Sequence, residues 1–177
     1  MAPTELPAWD QAGLALAHAA RVPWLDSVFV VVTWLGSLAV LLPLALLVWW
    51  RWRGERSASF VALALIGASA LGHLFKLIVE RPRPDLFPPL ITMPEDWSFP
   101  SGHAVQITAF ALAWLLRPGA EPGRVEIAVL ITAVTMVIAS RLYLQVHFPS
   151  DVFAGALLAT LWVVILRRLP AWQEHKQ

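Results

Sequence analysis

Long apolar segments alternate with short polar ones along most of the chain. The longest, residues 28–50, holds no charged side chain. As a helix it measures about 34 Å, enough to cross the roughly 30 Å hydrocarbon core of a bilayer. Shorter apolar segments follow at residues 57–75, 104–116, 127–146 and 152–166. The pattern predicts an all-α, polytopic membrane bundle of about five transmembrane helices.

The N-terminal region does not continue this pattern, because three prolines interrupt its first 27 residues. An apolar face between Trp9 and Arg21 predicts a short helix there. We interpret it as an interfacial helix or, alternatively, as a sixth span. The chain is then predicted to be a single domain, made of an N-terminal interfacial segment, a membrane bundle and a cytoplasmic tail at residues 1–27, 28–168 and 169–177.

Composition supports the membrane interpretation. Hydrophobic residues make up 58% of the 177 residues and charged residues 14%, against about 45–50% and 25% in soluble domains. The mean hydropathy is +0.65. The net charge of +1 gives no reason to expect a nucleic-acid partner. The chain has no cysteine, which excludes disulfides and thiolate metal sites.

The distribution of basic residues predicts the orientation in the membrane. With five spans, alternate connections lie on opposite sides. Eight of the 13 lysines and arginines fall on the side that receives residues 51–56, 117–126 and 167–177. The other five fall on the side of residues 1–27, 76–103 and 141–151. The positive-inside rule places the first side in the cytoplasm, so the second side and the N-terminus face outward.

The polar residues suited to chemistry collect on the outward side. Three cations, two histidines and one carboxylate meet there: Lys76, Arg83, Arg141, His103, His147 and Asp151. The set suits a phosphoryl group, because cations neutralise its oxygens while one histidine attacks and the other protonates the leaving group. Each residue alone also has a structural explanation, such as a membrane-anchoring lysine or a helix-dipole aspartate. The joint arrangement favours chemistry.

Two predicted helix starts support an anion site. Ser101 precedes an apolar run and is a plausible N-cap, which leaves the amides of Gly102 and His103 at a helix terminus that attracts anions. A second helix is predicted to begin near Pro149. Its Asp151 could then accept a hydrogen bond from His147 and fix the tautomer of that histidine.

The spacing of these residues resembles the type 2 phosphatidic acid phosphatase (PAP2) superfamily. The pattern of that family is Lys-x6-Arg-Pro, then Pro-Ser-Gly-His, then Ser-Arg-x5-His-x3-Asp. All its fixed positions occur here, within residues 76–84, 100–103 and 140–151. The resemblance implies a helical membrane phosphatase, usually of six spans, that uses no metal or other cofactor.

The resemblance also implies a role for each matched residue. His147 would be the nucleophile that forms a phosphohistidine, Asp151 would orient it, and His103 would protonate the leaving oxygen. The phosphate would be held by Lys76, Arg83, Ser101, Gly102 and Arg141.

Residues beside the motifs receive less specific assignments. Arg81 and Trp97 are candidates for the rim that contacts a lipid headgroup, and Arg81 could touch a second phosphate or be a solvated loop cation. The acidic pair at residues 95–96 either positions a headgroup or a phosphate-binding lysine, or forms a simple acidic loop. His73 is a packing or rim residue.

The implied function is a lipid phosphatase in a prokaryotic inner membrane, with its active site facing outward. Undecaprenyl diphosphate is the first expected substrate, and phosphatidylglycerophosphate or phosphatidate is the alternative. A vanadate-dependent haloperoxidase is an alternative, because that family has the same phosphate-binding residues. Its members are soluble, however, and the apolar segments of this chain argue against that assignment. Lipid binding or transport without hydrolysis is a further alternative, which the paired histidines oppose. The expected partners are the substrate and membrane lipids, and the oligomeric state is left open.

Overall fold

The described part of the chain, residues 6–53 and 55–173 of a computed structural model, is helical and contains no strand. The all-α prediction is therefore confirmed. The predicted interfacial segment and cytoplasmic tail extend beyond it, since residues 1–5 and 174–177 lie outside the described residues. The helices are α1 (Ala8–Ala19), α2 (Pro23–Val32), α3 (Leu38–Arg51), α4 (Arg56–Val79), α5 (Gly102–Leu116), α6 (Arg124–Tyr143) and α7 (Pro149–Arg168), with 3-10 turns at Thr33–Gly36 and Pro170–Trp172.

Four helices lie where the apolar segments predicted them. α4, α6 and α7 are each long and apolar enough to cross a membrane, whereas α5 has 15 residues. α5 packs between α4 and α7, and the buried core of these helices includes five alanines among larger apolar side chains: Ala64, Ala68, Ala109, Ala113 and Ala159. Small residues let helix backbones approach closely within a membrane. The close packing holds the outer ends of these helices in register.

The prediction of one continuous span over residues 28–50 is wrong. The chain forms α2, then the 3-10 turn at Thr33–Gly36, and only then α3. Gly36 is buried, and a Cβ atom there would collide with Val137 and press on His103. A glycine in a tight turn permits this close approach to the site. Hydropathy reports the apolar length of the segment but not the break.

Judged by length and apolarity alone, fewer of the described helices qualify as spans than the five or so that the pattern predicted. Among the described residues three helices meet the length and apolarity expected of a span. A fourth is counted only if Ala8–Ala19 and Pro23–Gly36, which are bent by 119° from one another, form one broken span. α3 and α5 are shorter apolar helices. Polar residues at the start of α5 are therefore held within the bundle rather than above it.

The short helix predicted near the N-terminus is present as α1. Its 12 residues measure about 18 Å, too short to cross a bilayer alone. α1 packs on α6 and α7 where the loop between them passes, and its Leu14 carbonyl accepts a hydrogen bond of 3.1 Å from the Gln145 amide. The N-terminal helix therefore lies at the end of the bundle that carries the three motifs.

The basic residues divide between the two ends of the bundle as predicted. At one end α3, α5 and α7 finish, and a Trp52–Trp114 ring contact joins two of these termini. This end carries seven arginines of the described residues: Arg51, Arg53, Arg56, Arg117, Arg124, Arg167 and Arg168. At the other end α4 and α6 finish and α5 and α7 begin, which brings all three motifs together.

Candidate active site

A cavity of about 320 Å³ lies at the motif end of the bundle. Six of the eight predicted catalytic and phosphate-binding residues line it: Lys76, Arg83, Gly102, His103, Arg141 and His147. Ser101 and Asp151 are fully buried beside it. The remaining walls come from Leu38, Ser69, Gly72, His73, Pro94, Asp96, Val105 and Gln106. The fold thus brings together residues from four helices and two loops.

The first two cations of the site share one anionic partner. Lys76 is buried in the last turn of α4, where its Nζ donates to the Trp97 carbonyl and lies 3.0 Å from Oδ2 of Asp96. Arg83 follows in the loop; its Nε donates to the Asp96 carbonyl at 2.8 Å and its Nη2 to the Asp96 carboxylate. Its Nη1 donates to the Val146 carbonyl at 2.7 Å. Both side chains are therefore held at the cavity wall.

Asp96 bridges these two cations although it is exposed. Partial burial would raise the pKa of its carboxyl, but hydrogen bonds from Arg83 and Lys76 outweigh this and hold the pKa below its usual value. The carboxylate is consequently charged at neutral pH. The sequence left open whether the acidic pair contacts a headgroup, contacts the phosphate-binding lysine or forms a simple loop. The structure shows the contact between Asp96 and Lys76.

Arg141 supplies the third cation from the last turn of α6. It is 2% exposed, and its Nη1 donates to Oγ1 of Thr33 at 2.7 Å. Its Nε has no hydrogen-bond partner within residues 6–53 and 55–173. A buried guanidinium with a spare donor at a cavity wall is suited to bind an anion. The 3-10 turn that interrupts the first apolar segment thus braces this arginine.

The start of α5 matches the prediction in position but not in one hydrogen bond. α5 begins at Gly102 with Ser101 at the N-cap, yet the Ser101 hydroxyl makes no cap. Its buried Oγ lacks a partner among the described residues. The Ser101 N–H instead donates to the Asp151 carbonyl at 3.0 Å, which ties α5 to α7. Gly102 lies at the cavity wall in the first turn of α5, where a helix N-terminus favours anions.

The orientation of His147 defines its tautomer. This buried histidine lies in the loop between α6 and α7. Its Nε2 is 3.2 Å from Nη1 of Arg83, and its Nδ1 is 3.4 Å from both Oδ2 of Asp151 and Oγ of Ser98. Because an arginine only donates, Nε2 is the acceptor and Nδ1 carries the hydrogen. The lone pair needed for attack is thus on the side of Arg83 and the cavity.

The protonation state of His147 fits the same role. Burial lowers its pKa to about 3, although the hydrogen bond with Asp151 raises it. The imidazole is therefore neutral at neutral pH, the form in which a histidine is nucleophilic.

Asp151 makes both contacts that the sequence left as alternatives, one with the start of α7 and one with His147. As the third residue of α7 it accepts the Phe148 N–H at 2.9 Å on Oδ2, which caps the helix. The same oxygen accepts the Ser98 hydroxyl and faces His147. Its Oδ1 lies 2.6 Å from Nη1 of Arg81. Both oxygens of this buried carboxylate are thereby fixed.

The two predicted rim residues do not line the cavity. Arg81 points toward Asp151 and also pairs with Asp10 at 2.8 Å. Trp97 is exposed, and its backbone carbonyl, rather than its ring, contacts Lys76. In this arrangement Arg81 is not available to a second phosphate.

Three contact residues were missed by sequence reasoning. Ser98 stands two positions before the Pro-Ser-Gly-His motif, and Thr33 lies inside an apolar run, so neither has a spacing signal. Asp10 does carry a signal, since an acidic residue on a short apolar helix must be paired if it is buried. The sequence does not indicate that the partner is Arg81.

Comparison with known proteins identifies the family. The family model of the PAP2 superfamily matches residues 57–174. The chain belongs to the PAP2 superfamily. Phosphatidylglycerophosphatase B of Bacillus subtilis is 32% identical over 168 residues, which cover 89% of this chain and 81% of that protein. The undecaprenyl-diphosphatase of Sulfolobus acidocaldarius is 31% identical over 150 residues, which cover 82% and 70%.

A solved structure is similar to this protein over nearly the whole chain. The crystal structure of a transmembrane PAP2-type phosphatidylglycerolphosphate phosphatase from Bacillus subtilis matches with a TM-score of 0.82 at 26% identity. The match covers 95% of this chain and 87% of that one. The protein is therefore an integral membrane lipid phosphatase of the PAP2 superfamily, as the motif spacing predicted.

Proposed function

We propose that this PAP2 protein hydrolyses a lipid phosphate or diphosphate through a phosphohistidine at His147. The observation that carries the proposal is the orientation of the imidazole. Its Nε2 lone pair is on the side of Arg83 and the cavity, while Nδ1 is on the side of the buried Asp151. Binding or transport alone does not require a neutral histidine held in this way.

The reaction proceeds in two balanced steps. In the first, Nε2 of His147 attacks phosphorus, a P–N bond forms and the P–O bond to the lipid breaks. His103, which is protonated when the anionic substrate lies beside it, gives its proton to the leaving oxygen. In the second, water attacks phosphorus, His103 takes a proton from it, the P–N bond breaks and inorganic phosphate leaves. Asp151 stabilises the positive charge on the imidazole. The phosphoryl oxygens are held by Lys76, Arg83, Arg141, Ser101 and the Gly102 amide.

These steps use side chains of the chain alone, as the family resemblance implies. To test whether the reaction needs a metal, phosphate release is measured in the presence of a chelator. We expect the rate of release to be unchanged. Loss of activity that one divalent ion restores would contradict the metal-independent mechanism.

We place the active site on the outer face of a prokaryotic inner membrane. Seven arginines of the described residues lie at the opposite end of the bundle, against five lysines and arginines at the motif end. The positive-inside rule supports a cytoplasmic location for the arginine-rich end. Lipid substrates would then reach the cavity from the outer leaflet.

Undecaprenyl diphosphate is the first substrate that we propose. The similarity to the undecaprenyl-diphosphatase of Sulfolobus acidocaldarius supports this assignment. The products would be undecaprenyl phosphate and inorganic phosphate.

One structural observation favours a second candidate, phosphatidylglycerophosphate. Among the described residues, the lysine and arginines that line the cavity are Lys76, Arg83 and Arg141, a set that one phosphoryl group can occupy. Arg81, which could have contacted the second phosphate of a diphosphate, is paired with two carboxylates. The similarity to phosphatidylglycerophosphatase B of Bacillus subtilis supports the same candidate.

A matched substrate panel tests the proposal. Purified protein is assayed for phosphate release from undecaprenyl diphosphate, phosphatidylglycerophosphate, phosphatidate and a soluble phosphomonoester. We expect His147→Ala to abolish release, a loss of at least about 10⁴-fold, and His18→Gln, which alters a histidine that stacks on Phe87 outside the cavity, to retain it. A radiolabelled intermediate, quenched at alkaline pH because phosphohistidine is acid-labile, should form in the wild type.

The outcomes separate the alternatives. Preference for the diphosphate supports the first substrate, and preference for the glycerophospholipid supports the second. Normal turnover in His147→Ala would overturn the nucleophile assignment. Absence of release from every lipid would favour binding without hydrolysis.

A further inference from the structure

A buried ion network links the N-terminal helix to the site. Asp10 of α1 is fully buried, and its Oδ2 lies 2.8 Å from Nη2 of Arg81. The other terminal nitrogen of Arg81, Nη1, lies 2.6 Å from Oδ1 of Asp151. Ser150 donates to Asp10 through its N–H at 2.8 Å and through its hydroxyl at 2.6 Å. One guanidinium, stacked 4.1 Å over the Phe148 ring, thus bridges two buried carboxylates.

From this geometry we infer that Asp10 and Arg81 are positioning residues, which hold Asp151 and through it the nucleophile His147. The inference rests on the proposed function, because it assumes that His147 attacks the substrate. It assigns to α1 a part in the reaction, although α1 lies outside the residues 57–174 that the family model matches.

The network fixes the orientation of Asp151. Oδ2 of Asp151 is fixed by the Phe148 N–H and the Ser98 hydroxyl, and Oδ1 by Arg81. Without Arg81 the carboxylate keeps only the contacts on one oxygen and gains freedom to rotate. Because Asp151 faces Nδ1 of His147, a carboxylate that rotates no longer holds the imidazole in one orientation. Small displacements of reacting groups lower the reaction rate strongly.

The network also sets the charge behind His147. Arg81 alone would neutralise Asp151 and weaken its attraction for the imidazolium that develops during attack. Asp10 adds a second negative charge to the same guanidinium, so the network keeps a net charge of −1 behind His147. In the protein interior this negative charge attracts the imidazolium more strongly than it would in water. Mere docking of α1 would not require it, because apolar contacts such as Gly13 against Pro149 already join α1 to α7.

The test is Asp10→Asn in the full chain, which keeps the shape of the side chain and removes its charge. The matched control is Asp26→Asn. Asp26 also pairs with an arginine in the N-terminal region, Arg21, but this ion pair does not extend to Asp151. We expect kcat to fall by about 10- to 100-fold in Asp10→Asn, with KM within about twofold of wild type. The control should retain wild-type kcat.

Two further variants distinguish positioning from folding. Arg81→Lys keeps the positive charge but lacks the fork needed to bridge two carboxylates, so its kcat should fall while the melting temperature in detergent stays near wild type. Because Asp10 acts through Arg81, the double variant Asp10→Asn/Arg81→Gln should be no slower than Arg81→Gln alone.

The results that overturn the inference differ from those that overturn the proposed function. An inactive His147→Ala together with wild-type kcat in Asp10→Asn overturns the inference alone. So does a loss of activity in Asp10→Asn and Arg81→Lys that merely follows a lowered melting temperature, because this indicates a structural role. Turnover in His147→Ala overturns the proposed function and the inference with it.

Discussion

The two sides of His147 are built in opposite ways. On the side of Nδ1, Asp151, Ser98, Arg81 and Asp10 form a buried network in which every carboxylate oxygen has a partner. On the side of Nε2, the cavity carries positive charge and donors without partners. Within the described residues the Arg141 Nε has no acceptor, although it is buried.

This difference separates two tasks. Saturated hydrogen bonds restrict motion, so the network side suits the positioning of a nucleophile. Unpaired buried donors are costly in an empty site and are compensated when an anion binds, so the cavity side suits recognition of phosphate. Changes on the cavity side should therefore affect the stabilisation of the transition state most strongly, and changes on the network side should affect orientation.

Among variants that leave His147 in place, the largest effect is expected from Arg141→Gln. This change removes a buried guanidinium with a spare donor at the cavity wall, and loss of one preorganised transition-state donor costs about 10²- to 10³-fold in kcat. Steady-state phosphate release measures the effect. Arg117→Gln, at the opposite end of the bundle where Arg117 pairs with Glu126, is the control and should keep wild-type activity. A wild-type rate in Arg141→Gln would show that Arg141 only braces Thr33.

A smaller effect is expected on the network side, from Ser98→Ala. The Ser98 hydroxyl donates to Asp151 and lies beside Nδ1 of His147. A hydrogen bond to a charged group contributes about 1.5–3 kcal/mol, so a loss near the lower limit reduces kcat about tenfold. KM should change little, because Ser98 does not line the cavity. Thr160→Ala, which removes another hydroxyl from the bundle, is the control. A rise in KM at unchanged kcat would contradict the positioning role.

The sequence predicted the cavity side of His147 and, on the network side, Asp151 alone. Cavity residues such as Lys76, Arg83 and Arg141 stand at fixed spacings at the ends of apolar runs, so counting spans places them together. The other partners on the network side are single residues from distant segments. Asp10 is 71 positions from Arg81, and nothing in local pattern or hydropathy relates the two.

The first span was misplaced because its break has no hydropathy signal. Residues 28–50 are uniformly apolar, and a membrane interior and a protein interior give the same hydropathy signal. The break at Gly36 and Ser37 lies where the backbone closely approaches Val137 and His103, a tertiary contact. In α4 to α7 no such contact breaks the helix, and their predicted positions are confirmed.

The smallest effect, and the one of opposite sign, is expected from Asp96→Asn at the cavity entrance. Asp96 holds Lys76 and Arg83 by its carboxylate, so a bound phosphate must share or replace this contact. Because the Asp96 side chain is 52% exposed, the gain from removing its charge is modest, about two- to fivefold tighter inhibition by orthovanadate or phosphate. Glu95→Gln is the matched control on the same loop.

The pH dependence provides an independent check on this last prediction. The pKa of Asp96 lies below its usual value, so the carboxylate remains charged at and above about pH 5. Titration of Asp96 should therefore contribute nothing to the difference in inhibition between Asp96→Asn and wild type from about pH 8 to 5. It should reduce this difference only as the carboxylate of the wild type becomes protonated at lower pH. Weaker inhibition in Asp96→Asn would instead mean that Asp96 orders the two cations for the phosphate, which would transfer this residue from the recognition side of the comparison to the positioning side.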